Sequence, residues 1–272
     1  MGILPQPSVS TNAVVLRVWP CGETSIIASL LTESSGFIRV LAKAARRPRS
    51  RLRPLVEPGR LVNVDFSLSP NRELQYLRSG SVNLDPMTEG IDLERSAYLL
   101  AALELVDRCR PVKASDGGSS TEDLFAVCDA FIKMLSSQSK VGPSRLFFYF
   151  EWQLLRQHGL DPEVSCCSAC GNSMSGASKD RGMWFNPSEG GLVCGGCGAA
   201  GGGRPLSSDA LREFNAFDTG VFQSGIEVDL SRALRREVGA HLHRFLGFHL
   251  PGYRLPTALD LLRSVKRAEE NI

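Results

Sequence analysis

Hydrophobic and polar positions alternate along residues 13–84. Five stretches carry the pattern: AVVLRVW (13–19), SIIASLLT (25–32), FIRVLAK (37–43), RLVNVDF (60–66) and ELQYLRSGSVNL (73–84). Each is short and rich in Val, Ile, Leu or aromatic residues. Turn formers separate them: Pro20-Cys21-Gly22, Ser34-Ser35-Gly36, Pro58-Gly59 and Ser69-Pro70-Asn71. In the first stretch Val14, Leu16 and Val18 fall on one face and Val15, Arg17 and Trp19 on the other, as a period of two requires. Five strands in about 70 residues suit a small barrel such as an OB-fold. An SH3-like barrel would give a similar pattern, so periodicity leaves both open.

From residue 91 the period becomes helical. Leu93–Cys109 reads as a long, apolar-rich helix. Pro111 and Gly117-Gly118-Ser119-Ser120 mark a loop, and Ser119 with Glu122 three residues on resembles a capping box. Behind it Leu124, Cys128, Phe131 and Leu135 form one apolar face. Pro143 suits the first turn of the next helix and Gly159 its C-terminal stop. Between them RLFFYFEWQLLRQH (145–158) is too apolar for a surface helix. Its aromatics are expected in a bundle core rather than as a base-stacking surface. Residues 160–204 are dense in Gly and Ser and too poor in apolar residues to make their own core. Helical pattern resumes at Ser207–Phe217 and Ser231–Leu250. A last helix follows Pro256, with Leu259, Leu262 and Val265 on one side. The expected class is α+β and multidomain: a barrel over 1–84, a helical domain from 85–160 and 205–272, and an insert over 161–204.

Composition alone changes little. The 272 residues are 43% hydrophobic and 22% charged, which excludes a disordered chain. No apolar run approaches the ~18 residues of a membrane helix. The segment MGILPQPSVS lacks the regions of a signal peptide, so a cytoplasmic protein is expected. The net charge of +2 is more informative once divided. Residues 1–60 hold nine basic and three acidic residues, and 61–130 hold six basic and twelve acidic. Residues 231–267 hold eight basic and two acidic. Partners respond to such local fields rather than to the sum.

The cysteines carry the sharpest chemistry. Five of the eight lie in 160–204, and Cys167-x-x-Cys170 is followed after 23 residues by Cys194-x-x-Cys197. Gly171 and Gly198 follow each pair, as a tight knuckle needs. Four thiolates at about 2.3 Å make a closed tetrahedral zinc site with no open position for catalysis. Such a metal offsets the ordering entropy of a loop without a core. Cys166 adjoins Cys167 and leaves a CxxxC spacing open. A disulfide framework would need an oxidising compartment, and a thioredoxin-type pair a βαβ context. Cys21, Cys109 and Cys128 are isolated and expected to pack as small hydrophobes.

Lys43, Arg46, Arg47, Arg49, Arg51 and Arg53 place six positive charges in eleven residues with no acid among them. Between strands three and four, such a loop is suited to a phosphate backbone. A second candidate basic surface lies near the C-terminus. On a helical wheel Leu234, Val238, Leu242, Phe245 and His249 share one face. Arg232, Arg236 and His243 lie opposite, with Arg235 and Arg244 on the flanks. Arg263, Lys266 and Arg267 follow on the last helix. The sequence holds no GxxxxGK[ST], HExxH or GxSxG motif, and His158, His241, His243 and His249 have no evident nucleophile partner. A non-enzymatic role is expected, with His241 and His249 as packing or capping residues.

A barrel with an Arg-rich loop, a helical domain and a CxxC…CxxC insert together resemble the bacterial RecO family. The resemblance spans about residues 12–265. It rests on GETSIIASLLTESSGFIRVLAKAARRPRSRLRPLVEPG (22–59), RLFFYFEWQLLRQHGLDPEVSCCSACG (145–171) and FNPSEGGLVCGGC (185–197). Ala44 departs from it, since the family often has Gly after the Lys. The resemblance implies an N-terminal OB-fold, a helical domain and a zinc-finger insert. It implies binding of single- and double-stranded DNA, strand annealing, and help in exchanging single-strand-binding protein for the recombinase. The partners implied are RecR and the acidic C-terminal tail of single-strand-binding protein. Zinc is not implied by membership and rests on Cys167, Cys170, Cys194 and Cys197 themselves. A zinc-ribbon RNA-binding or transcription adaptor, and a protein-interaction scaffold docking through the acidic 61–130 region, remain as alternatives.

Overall fold

The computed structural model of the protein describes residues 8–69, 72–88, 90–110, 121–137, 141–174, 182–198, 201–221 and 229–269, with side chains of the last helix up to residue 265. In chain order its elements are β1 (Ser8–Cys21), β2 (Ser25–Thr32), β3 (Gly36–Ala42), β4 (Leu61–Ser67) and β5 (Leu74–Leu84). Then come α1 (Leu93–Arg108), α2 (Thr121–Ser136), α3 (Pro143–Gln157), β6 (Met183–Asn186), β7 (Gly191–Cys194), the single turn α4 (Gly195–Gly198) and β8 (Arg204–Leu206). Helices α5 (Ser208–Thr219), α6 (Arg232–His249) and α7 (Thr257–Glu269) complete the chain. The expected capping box at Ser119 lies outside the described residues. By contacts the chain forms two compact units: 1–139 with 256–272, and 140–255. The expected division into 1–84, 85–160 with 205–272, and 161–204 follows element type, whereas these units follow packing.

In the first unit the strands close a barrel in the order β1-β2-β3-β5-β4. The pairing of β3 with β5 is parallel, through Arg39↔Leu74 to Leu41↔Tyr76, and the rest are antiparallel. This is the OB-type closure that periodicity left open. Strand β1 starts five residues before the alternating pattern is visible. Its first half pairs with β4 and its second with β2. One strand serving two neighbours has to bend, and a bulge between Val15 and Arg17 does this. The bulge overturns the two faces expected from strict alternation. Ala13, Val15 and Val18 all turn inward, with Leu30, Val40, Val62, Val64 and Phe66. Helices α1 and α2 pack outside the barrel. Gly59 (φ 86°) is required where α1 approaches, because a Cβ there would lie 2.9 Å from Leu99 Cδ2. Ser29 Oγ, on β2, donates to Asp107 Oδ1 at 2.9 Å. Helix α7 returns to this unit and packs on α1. Leu259 and Leu262 are buried there, and the α7 N-terminus is held by Thr257 N–H donating to Glu104 Oε2 at 3.0 Å.

The second unit is built around α3. As its composition predicts, Phe147, Phe150 and Trp152 are fully buried. The Trp152 ring packs 5.4 Å from Phe214 and 6.1 Å from Phe217, both on α5. Arg145 and Glu213 form a buried, two-pronged pair, Nε to Oε2 and Nη2 to Oε1, each at 2.8 Å. Helix α6 covers the other side. His243 was expected opposite its apolar face, but it turns toward α3, with Nε2 3.3 Å from Oε1 of the buried Glu151. Gly239 lets α6 approach close enough for this, since a Cβ there would sit 3.2 Å from the Phe148 ring.

Candidate nucleic-acid interface and metal centre

The basic loop joins β3 to β4, and its conformation follows from apolar residues threaded through it. Ala45, Leu55 and Val56 are buried in the barrel core, and Leu52 packs against it. With these turned inward, Lys43, Arg46, Arg47, Arg49, Arg51 and Arg53 are all exposed. The loop backbone is held by Arg46 N–H donating to Thr24 O at 2.8 Å and Arg47 N–H to Ala44 O at 3.1 Å. Among the described residues no acidic side chain forms an ion pair with any of the six cations. Arg46 Nη1 reaches only a backbone carbonyl, that of Gly22 at 3.4 Å. Six guanidinium and ammonium groups are thus held out to solvent on a fixed scaffold.

Next to this loop lie residues that sequence reasoning missed. The Arg39 guanidinium sits 6.0 Å from the Trp19 ring centre, and Lys43 Nζ 4.6 Å from that of Tyr76. Arg72 lies 5.9 Å from the same Tyr76 ring. The signal that could have found them was the outward position of Trp19, Arg39 and Tyr76 on their strands. It became usable only with the strand order.

The second candidate basic surface divides between the two units. On α6, Arg232, Arg236 and Arg244 are exposed and Arg235 is half-buried. Arg244 Nη2 donates to Gly202 O at 2.9 Å, so it also braces the insert. On α7, Arg263 is exposed, 3.7 Å from Asp260. The Lys266 and Arg267 side chains lie outside the described residues.

The insert folds as a three-stranded sheet, β7-β6-β8, which its composition did not reveal. It takes its core from the helices. Phe185 of β6 is buried 5.1 Å from Phe214, 5.5 Å from Phe245 and 5.7 Å from His241. Two turns carry the cysteines. Before the first, the Glu163 carboxylate accepts Ser165 Oγ–H, Ser165 N–H and Cys166 N–H at 2.6, 2.7 and 3.1 Å. Cys167 N–H then donates to Asn172 O, and Gly171 (φ 73°) N–H to Cys167 O. The second turn is α4. Gly198 is needed there because a Cβ would meet the Trp184 ring at 2.5 Å.

These turns bring the sulfurs of Cys167, Cys170, Cys194 and Cys197 within 4.8 Å of one another. Cys170 Sγ and Cys194 Sγ are 3.9 Å apart, close to the ~3.8 Å edge of a tetrahedron with 2.3 Å metal–sulfur bonds. Cys166 is not in the cluster and instead forms a bridge with Ser173, so the CxxC spacing is the one realised. Burial pushes the Cys167 thiol up, but N–H groups of Cys194, Cys170 and Ala169 outweigh it and bring it down to about 6. Hydrogen bonds with Cys194 and Cys170 push Cys197 up to about 12. Four sulfurs this close cannot all ionise against one another without a cation between them, and the donor set suits a soft, tetrahedral metal ion. Of the remaining cysteines Cys109 and Cys128 are buried. His241 packs edge-on to Phe185 and Phe214, and His249 packs on Phe245 while its Nε2 bonds Pro187 O of the insert at 2.9 Å, so both are packing residues and neither caps a helix.

Among the described residues no helix is long and apolar enough to cross a membrane. The sequence matches two family descriptions, Recombination protein O N terminal over residues 7–83 and Recombination protein O C terminal over 91–258. It is 30% identical over 261 residues to the DNA repair protein RecO of Pelobacter propionicus, covering 95% of this chain and 98% of that one. It is 30% identical over 197 residues to that of a Nocardioides species, covering 71% and 76%. With that of Koribacter versatilis it shares 28% over 236 residues, covering 87% and 89%. Both halves of the family pattern fall on the barrel and on the helical region with its cysteine insert, and the chain belongs to the RecO family of DNA repair proteins.

Proposed function

We propose that this chain is a DNA-binding recombination mediator. It binds single- and double-stranded DNA, anneals complementary strands, and assists exchange of single-strand-binding protein for the recombinase. One observation carries the reading: Lys43, Arg46, Arg47, Arg49, Arg51 and Arg53 stand exposed, with no acidic partner among the described residues, on a loop pinned by Ala45, Leu55 and Val56. Annealing joins two polyanions and has no chemical step, so its barrier is largely repulsion between phosphates. The loop neutralises one strand. Arg232, Arg235, Arg236 and Arg244 on α6 are proposed to hold a second strand or the acidic tail of single-strand-binding protein, and Arg263 and Lys266 on α7 are proposed as a separate basic contact of the barrel unit. RecR is the proposed protein partner, and the site of action is the cytoplasmic nucleoid. Cys167, Cys170, Cys194 and Cys197 would hold one structural Zn2+. Bound there, it would cross-link the two cysteine turns, with all four positions filled by protein sulfur.

The test is the salt dependence of binding to oligo(dT). Six phosphates neutralised on a single strand give a slope of log K against log salt near −4, and two give about −1.4. The wild-type chain should show the first. Replacing Arg46, Arg47, Arg49 and Arg51 together by Ala should bring it close to the second, with annealing of complementary oligonucleotides lost in parallel. A wild-type slope near zero would overturn the reading. Tighter binding to an RNA of the same sequence in competition would point to an RNA adaptor instead.

A further inference from the structure

We propose that the outer barrel face running from Trp19 to Tyr76 is a stacking platform for the bases of an unpaired DNA strand. The inference rests on the reading of the adjacent loop as a phosphate contact, and adds what that loop cannot supply, a preference for exposed bases.

Strand register puts the platform together. Trp19 of β1 is opposite Ile27 of β2, Ile27 is opposite Leu41 of β3, and Leu41 is opposite Tyr76 of β5. Their neighbours Val40, Ala42 and Leu77 belong to the barrel core and Val18 and Ile26 pack against it, so the row of four faces outward. None of the four is buried, and Tyr76 is 37% exposed. The result is an apolar strip with an aromatic ring at each end, about 14 Å across at three strand spacings. Cations attend both rings: Arg39 at Trp19, and Lys43 and Arg72 at Tyr76. Arg39 lies at the outer limit of a cation–ring contact. A base sliding onto a ring can therefore pass the cation to its own phosphate, exchanging one contact for another.

Trp19 also connects the strip to the basic loop. With Val18, Pro20, Ile26, Arg46 and Arg53 it lines a cavity of about 410 Å³ at the end of the barrel. A strand whose phosphates rest on Arg46 and Arg53 thus has an apolar, aromatic-walled recess beside it. Duplex DNA cannot use these features, because its base faces are already stacked on one another. A single strand can, and every base offers a π face, so the platform is indifferent to sequence. An acidic peptide is the other occupant to consider. A peptide adding to a sheet requires a free strand edge, and this barrel is closed.

The test uses the full chain and three probes carrying the same number of phosphates: a mixed-sequence single strand, the same strand with abasic sites throughout its centre, and a blunt duplex. Trp19→Leu and Tyr76→Leu keep the strip apolar but remove a ring. Each should weaken binding of the base-bearing strand by about tenfold, leaving the abasic strand, the duplex and the salt slope unchanged. Trp19→Phe should restore much of the loss. Tyr76→Leu, at an already exposed side chain, gives the same readout should Trp19→Leu disturb the barrel end. Equal loss on all three probes, or none on the base-bearing strand, overturns the platform. So does loss of binding to an acidic peptide with the strand unaffected. A flat wild-type salt slope would instead remove the loop reading, so the two failures are distinguishable.

Discussion

Ala44 adopts the left-handed conformation at φ 57°, and Arg49 does so at φ 61°. An L-residue there costs about 1–2 kcal/mol, so the departure from the Gly often found after the Lys has a physical meaning. The conformation persists because the barrel holds it, through Ala44 N–H to Ser25 Oγ and Arg46 N–H to Thr24 O. Nothing in the local sequence announces it. His241 shows a residue whose identity was legible but whose consequence was not. Burial, the largest influence, lowers its basicity, and the Glu237 carboxylate opposes this. The folded chain therefore prefers the neutral ring, and the unfolded chain protonates first as pH falls. The resulting stability is complete above the ordinary value of 6.5. It is lost as pH drops from there toward the lower folded value, at up to ~1.4 kcal/mol per pH unit. Urea unfolding followed by circular dichroism at pH about 7.5 and about 5.5 should show a larger loss for wild type than for His241→Gln. Equal losses would acquit His241.

At the scale of elements, long segments were legible and short ones were not. The 16-residue α1 and 15-residue α3 present several turns of pattern, and each carries enough apolar surface to declare its burial. Strands β6, β7 and β8 have four, four and three residues, too few to display a period. They exist because the two cysteine turns clamp one end and Phe185 anchors the other among Phe214, Phe245 and His241. The four-cysteine cluster and the helical core are therefore expected to be coupled. Purified protein should contain one zinc per chain. Chelation should melt the insert and lower the unfolding temperature of the surrounding α5–α6 region by several degrees, monitored by hydrogen exchange at residues 204–219. Cys197→Ser should have the same effect without chelator. Well under one zinc per chain, or exchange unchanged by chelation, would contradict this.

At the scale of the whole molecule, the first unit is discontinuous: the chain leaves it after residue 139 and returns at 256. Leu259 and Leu262 of α7 are buried, and Glu104 of α1 caps that helix through Thr257. Ending the chain at residue 255 should therefore destabilise the barrel unit. Exposing two buried leucines' worth of surface costs about 3–6 kcal/mol, which denaturant unfolding of the truncated chain would measure. An unchanged midpoint would mean that α7 is dispensable. The charge distribution also acquires its meaning here. The net +2 conceals a basic run that the barrel displays, while the second run is shared by helices of different units. By itself the sequence determined the barrel strands, the long helices, the four-cysteine set and the charge of the loop, because each is written in spacing or density over neighbouring residues. Only the tertiary structure decided the bulge in β1, the choice of Cys167 over Cys166, the return of α7 to the barrel unit and the row from Trp19 to Tyr76. Those depend on contacts between residues far apart in the chain, and local periodicity carries no record of which strand lies beside which.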